Sequence, residues 1–179
     1  MRAIPTELTD IAEAHQPKAA VSIIRCSAPL DSILLLRRRK AISDPWSGHF
    51  AFPGGRRDPD DDSIFHTCLR ETREETGIFL DETLLSRRLP SAFAGRNVKA
   101  PIHVQPYLFS LDQRPRVVVE TSEIKNYLWL EVEKFVDKNR HVVQEVLPSR
   151  YSPVYPLEDY YLWGFTYGLL CSLLEVNID

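Results

Sequence analysis

Arg70-Glu71-Thr72-Arg73-Glu74-Glu75-Thr76-Gly77 is the run from which this chain is read. Its fixed letters, R-E-x-x-E-E-x-G, match by chance at roughly one start in 10⁶, so coincidence is set aside. Residues three and four apart are neighbours on a helix, which places Glu71, Glu74 and Glu75 on one face. Three carboxylates there repel one another, and a helix turned merely to solvent interleaves Lys or Arg. The face asks for positive charge, and a divalent cation is the simplest candidate.

Working outward, Ser63 to Thr76 is predicted as the helix that carries the acids. An Asp at 60–62 is its expected cap. Ile64, Cys68, Leu69 and Thr72 are its expected inner stripe, and Gly77 lets the chain reverse. Upstream, Lys18 to Cys26 and Ser32 to Arg37 read as paired strands joined by a turn at Pro29-Leu30-Asp31. A short strand, His49 to Phe52, ends at Pro53-Gly54-Gly55, and Arg56 to Asp61 is a polar loop. Residues 6–15 read as a short helix begun by Thr6, and Ala41 to Gly48 as a loop. Downstream, Ile102 to Leu111 is strand-like, and Pro106 implies an edge or a bulge. Val117 to Val119 and Tyr127 to Val132 are further strands, and Glu133 to Lys138 a helical turn. Tyr151 to Leu157, with two prolines, reads as a loop before a terminal helix from Leu157 to Val176. This order predicts a single domain over 1–179, an α/β/α sandwich around a mixed sheet.

The 179 residues are 44% apolar, enough for one core. A net charge of −3 argues against a broad nucleic-acid surface, so an anionic substrate must be met by local clusters. Cys26, Cys68 and Cys171 are odd in number and widely spaced. They fit reduced thiols of a cytoplasmic protein rather than a disulfide frame. The N-terminus lacks an apolar secretory core, and the apolar stretch 160–176 is too broken to favour a membrane span. No G-K-[ST], G-x-G-x-x-G or G-x-S-x-G occurs, so P-loop, Rossmann and serine-hydrolase readings lack support.

The acidic octet with Gly54-Gly55 upstream resembles the Nudix box, here spanning about 55–78. Thr72 stands where an apolar residue is usual. The spacing from Gly55 to Arg70 is one residue longer than the pattern, and Asp61 or Asp62 falls near its first Glu. The resemblance implies a Nudix α/β/α fold and a magnesium-dependent pyrophosphohydrolase, with manganese a possible substitute. It implies Glu71 and Glu75 as main metal ligands and Glu74 as a ligand or the base that activates water. Arg70 has an orienting role through its bidentate fork. Glu120 and Glu123 are candidates for a further acid, with Glu123 favoured. Gly54 and Gly55 are expected to admit a phosphate beside the backbone or to supply positive φ.

Gly48-x-x-x-Phe52-Pro53-Gly54-Gly55, the run Leu34 to Arg38, and Trp163-Gly164-Phe165-Thr166 resemble the signature of the coenzyme A pyrophosphatase branch. Lys40 and Asp44 depart from it. The implied substrate is coenzyme A or a derivative, split to 3′,5′-ADP and a phosphopantetheine. Arg37, Arg39 and Arg57 are the expected substrate-binding cations, from the clusters Arg37 to Lys40 and Arg56-Arg57. Trp46, Phe50 and Phe93 are candidate stacking groups, and Trp163 is expected to pack. The alternatives are ADP-ribose, a nucleotide sugar or another nucleoside diphosphate derivative, and a non-catalytic binding module. A homodimer is a possible assembly.

Overall fold

The computed structural model describes residues 16–40, 47–95 and 100–178. The expected helix at 6–15, Trp46 and Asp44-Pro45 lie outside them. The strands are β1 (Ala19–Ala28), β2 (Ser32–Arg38), β3 (Phe50–Ala51), β4 (Gly54–Arg56), β5 (Leu85–Arg88), β6 (Ala92–Ala94), β7 (Ile102–Gln113), β8 (Ile124–Glu131), β9 (Val142–Leu147), β10 (Arg150–Leu157) and β11 (Tyr160–Leu162). The helices are α1 (Ile64–Thr76), α2 (Val132–Val136) and α3 (Gly164–Leu173).

The main sheet runs β3-β2-β1-β7-β5, with β4 on β1, β6 on β7 and β8 on β2. Its β1–β7 pair is parallel and the other pairs are antiparallel, so the sheet is mixed as expected. Side chains alternate across it. Ile23, Ile33, Leu35 and Leu108 enter one core with Phe135 of α2 and Leu170 of α3. Ile24, Leu34, Leu36 and Phe109 enter the other with Cys68 of α1. A helix therefore covers each face. Full burial of such a Leu or Ile contributes about 1.5–3 kcal/mol.

The terminal region departs from the sequence reading. Tyr151 to Leu157 is strand rather than loop, in a small sheet β11-β10-β9. β10 pairs with β9 over Arg150–Val154 and with β11 only over Tyr155–Leu157. At each proline one edge alone is paired, so a missing N–H is tolerated. The last helix is correspondingly shorter than the expected 157–176.

Pro106 lies inside the sheet, not at its edge, with β1 on one side. On the other side the partner strand is broken between β5 and β6. There the buried Gln105 side-chain amide donates to the carbonyls of Leu89 and Pro106 at 2.7 and 3.0 Å, and the Leu89 N–H also donates to Pro106. Val117 to Val119 is not a strand. The amides of Val118 and Glu120 donate to the carbonyls of Thr76 and Glu75, at 2.8 and 3.1 Å, and satisfy the last turn of α1.

Candidate active site

Ser63, not an aspartate, caps α1: its hydroxyl accepts from the His66 N–H at 3.1 Å, a contact that contributes about 1 kcal/mol. Gly77 ends the helix at φ 68°, as its position predicts. The buried side of α1 is built of Thr67, Cys68, Thr72 and Thr76, with Ile64 and Leu69 only half-buried. These are small side chains, so the helix sits close to β1. Thr72, the departure from the apolar pattern, lies 2.7 Å from both the Ser22 hydroxyl of β1 and the Cys68 carbonyl. One substitution in the helix is answered by a polar partner in the strand.

Close seating brings Glu75 against β4. Its Oε2 accepts from the Gly54 N–H at 2.8 Å, and the residue is 6% exposed. Burial pushes its carboxyl up to about 8. The Gly54 hydrogen bond opposes this, Glu71 adds to it, Arg38 opposes and Glu123 adds. Burial also raises Glu71, against the pull of Arg70.

Gly54 has the positive φ that the sequence suggested, and both glycines also meet a close neighbour. Gly54 and Gly55 are strand residues, opposite Val21 and Ala20 of β1. A Cβ on Gly54, at φ +146°, would stand 2.2 Å from the Ala20 carbonyl oxygen. A Cβ on Gly55 would stand 2.4 Å from Cδ of Glu71. The first glycine lets two strands approach; the second makes room for a carboxylate.

Arg70 touches three acids, and its bidentate fork goes to Asp61 rather than to an expected metal ligand. Its Nε and Nη2 donate to the two oxygens of Asp61 at 2.8 and 2.9 Å. Its Nη1 lies 3.0 Å from Glu71 Oε1 and 2.9 Å from Glu74 Oε2. Asp61 is 3% exposed, and the Arg70 guanidinium holds it well below the usual carboxylate range. Of the two upstream aspartates, Asp61 thus joins the site and Asp62 is solvent-exposed.

A cleft of about 1360 Å³ opens on this pair, lined by Glu71, Glu75 and Glu123, by Gly54 and Gly55, and by Arg38 and Arg56. Glu123, on the loop before β8, is thereby preferred to Glu120, whose carboxylate accepts from the Ser122 N–H outside the cleft. Glu74 does not line the cleft: its side chain is 57% exposed and held by Arg70. Among the described residues no three acid, His or Cys side chains gather closely enough to hold a metal by themselves. The fold pre-forms the pair Glu71 and Glu75. A hard divalent cation fits it, because carboxylate oxygens suit such an ion and its charge would offset both burial and like-charge repulsion.

The expected substrate-binding arginines are not those in the cleft. Arg37 follows Ile33 and Leu35 inward. It lies 4.8 Å from the Phe50 ring and 4.3 Å from the Tyr160 ring, with Asp159 at 3.7 Å. Arg39 donates through Nε to the Thr121 carbonyl, and its N–H donates to the Glu123 carbonyl, so it braces the loop that carries Glu123. Arg57 donates to the Asp61 carbonyl at 3.0 Å. Their neighbours Arg38 and Arg56 line the cleft instead, and Arg38 pulls on the Glu75 carboxylate. Strand alternation was the available signal, but it leaves the choice of face open until the register is known. Phe50, Phe93 and Trp163 all line the cleft, with Phe50 buried and the exposed Phe93 stacked on His103 at 4.7 Å.

A profile of the Nudix domain matches residues 16–149. The uncharacterized Nudix hydrolase NudL of Photorhabdus laumondii is 31% identical over 146 residues, 79% of this chain and 75% of that protein. The human mitochondrial coenzyme A diphosphatase NUDT8 is 39% identical over 70 residues. That match spans 38% of this chain and 30% of the human protein. A NUDIX hydrolase of Alicyclobacillus acidocaldarius superposes with a TM-score of 0.63 at 18% identity, covering 89% of this chain and 92% of that one. An Ap4A hydrolase of C. elegans superposes at 0.52 with 26% identity, covering 68% and 84%. With the acidic helix, the paired glycines and the mixed sheet in place, the chain belongs to the Nudix family of pyrophosphohydrolases.

Proposed function

We propose that this enzyme splits the diphosphate of coenzyme A or a close derivative, releasing 3′,5′-ADP and a phosphopantetheine. Cleft shape carries the reading. Its lining joins Glu71, Glu75, Glu123, Arg38 and Arg56 to the apolar Leu89, Phe93, Leu169 and Leu173, with Arg87 and Arg150 as further cations. Charged groups sharing one cleft with apolar side chains suit a diphosphate joined to a long, weakly polar arm. The signature residues Gly48 to Gly55 and the partial likeness to a coenzyme A diphosphatase support it.

Glu71 and Glu75 would hold Mg²⁺, or Mn²⁺ in its place, which when bound neutralises phosphate charge and makes a water more acidic. Arg38 and Arg56 bind diphosphate oxygens. Glu123 takes a proton from the attacking water as the new P–O bond forms and the bridging P–O bond breaks, and the second phosphate departs with the bridging oxygen. Arg70 keeps Glu71 aimed into the cleft, with Asp61 as its anchor and Glu74 on its outer side. Glu74 thus acts through Arg70.

The test is purified enzyme with Mg²⁺ and a panel of coenzyme A, ADP-ribose, nucleotide sugars and diadenosine tetraphosphate, read by product identity. Coenzyme A is expected to give the highest kcat/KM. A preference of about 100-fold for ADP-ribose or diadenosine tetraphosphate would overturn the substrate assignment and leave the chemistry standing.

A further inference from the structure

Most arginines among the described residues have evident partners: Arg25 has Asp31, Arg70 has Asp61, Arg140 has Asp137, and Arg37 has two aromatic rings. Arg87 and Arg150 differ. Both line the cleft, and neither guanidinium has a hydrogen bond or ion pair among the described residues. A cation on a concave wall raises the local concentration of anions, and the planar guanidinium matches phosphate oxygens two at a time.

Arg87 is also remote from the acids. β1 lies between β4 and β7, and β5 flanks β7 on its far side. The strand that carries Arg87 therefore stands three strand spacings from Gly55, on the order of 14 Å. Arg38, which pulls on Glu75, and Arg56, which follows Gly55, are already available to a diphosphate held beside Glu71 and Glu75. A substrate bearing only a diphosphate would leave Arg87 and Arg150 without a counter-charge.

We infer that Arg87 and Arg150 form a second anion subsite, which takes a phosphate monoester carried by the substrate away from the bond being cleaved. The inference rests on the cleft being the place where a nucleoside diphosphate derivative is split. It makes the extra phosphate the group selected. Coenzyme A carries such a group as its 3′-phosphate; 3′-dephospho-coenzyme A, ADP-ribose and diadenosine tetraphosphate do not.

The test uses the full chain with Mg²⁺ and the double variant Arg87→Ala/Arg150→Ala. First, kcat/KM is compared for coenzyme A and 3′-dephospho-coenzyme A. The variant is expected to lower the ratio of the two by about tenfold or more, mainly through KM, because charge-assisted contacts to the extra phosphate are lost. Second, 3′,5′-ADP and 5′-AMP are compared as inhibitors of whichever panel substrate turns over fastest. The wild type is expected to favour 3′,5′-ADP, and the variant to lose that preference. Equal inhibition by both nucleotides in the wild type overturns the subsite, as does a ratio unchanged in the variant. If coenzyme A is not cleaved but the inhibitor preference appears and is lost in the variant, the subsite stands and the substrate assignment falls. If coenzyme A is cleaved with unchanged ratios, the reverse holds.

Discussion

The backbone N–H of Gly54 donates to Oε2 of Glu75 at 2.8 Å, across 21 residues of sequence. This bond ties the helix that carries the acids to the strand that carries the glycines. It also holds a buried carboxylate on the cleft wall in one defined orientation.

The two neighbouring glycines should fail differently when changed. Gly54→Ala forces a Cβ against the Ala20 backbone at a φ that L residues rarely adopt. It is expected to destabilise the protein by about 2–4 kcal/mol, seen as a lower midpoint in urea. Gly55→Ala meets the carboxylate of Glu71, a side chain that can move. It is expected to lose most activity through displaced Glu71 while keeping a midpoint nearer the wild type. Equal loss of stability in both variants would contradict this assignment.

Glu75→Gln retains an oxygen to accept from Gly54 but removes the charge. Turnover with Mg²⁺ should fall by about 10³-fold, a loss of the size expected when a group stabilising transition-state charge is removed. Glu74 is exposed and held on the outer side of Arg70. Glu74→Gln should therefore cost less than Glu75→Gln by about tenfold or more. Steady-state rates at saturating metal decide between them, and equal losses would place Glu74 among the direct metal ligands.

The raised value of Glu75 links stability to pH. The ordinary value of 4.5 applies to the unfolded chain, and about 8 applies in the fold. The folded state therefore holds the proton more tightly. The stabilisation from this group is complete below about pH 4.5 and is lost as pH rises through about 8. In metal-free protein, Glu75→Gln should gain in Tm relative to wild type between about pH 6 and about pH 9. Mg²⁺ should raise the wild-type Tm more at the higher pH, where the carboxylate is ionised. A Tm difference independent of pH would refute the linkage.

Asp61 is buried and grips Arg70 with both oxygens. Its lowered value has the opposite sign: the stability it contributes is present above the ordinary carboxylate value of 3.8 and is lost as pH falls. Asp61→Asn leaves the guanidinium without its buried partner and should cost about 3 kcal/mol, with activity reduced because Glu71 loses its support. Chemical denaturation and kcat/KM measured together check both effects.

The helix over 64–76, its end at Gly77, the paired strands β1 and β2 and the mixed sheet were legible because each depends on local spacing or alternation. The prolines of β10 misled the reading toward a loop, since their tolerance depends on which edge is paired. Val117 to Val119 misled it toward a strand, since strand-like composition does not reveal that the amides there cap α1. Parity along β2 separated Arg38 from Arg37 and Arg39, but only the register could say which faced the acids.

The letters Arg70 to Gly77 alone determined that this protein carries a carboxylate helix suited to a divalent cation, because the acids lie within two helical turns of one another. Only the tertiary structure decided that Glu71 and Glu75 enter the cleft while Glu74 stays with Arg70. That choice depends on the rotation of α1, fixed by Thr67, Cys68, Thr72 and Thr76 against the sheet. It likewise placed Arg38, Arg56 and Arg87 around the cleft, because the strands that carry them are aligned by pairings with residues distant in the chain, and it brought Arg150 of the local β9–β10 hairpin to the same cleft.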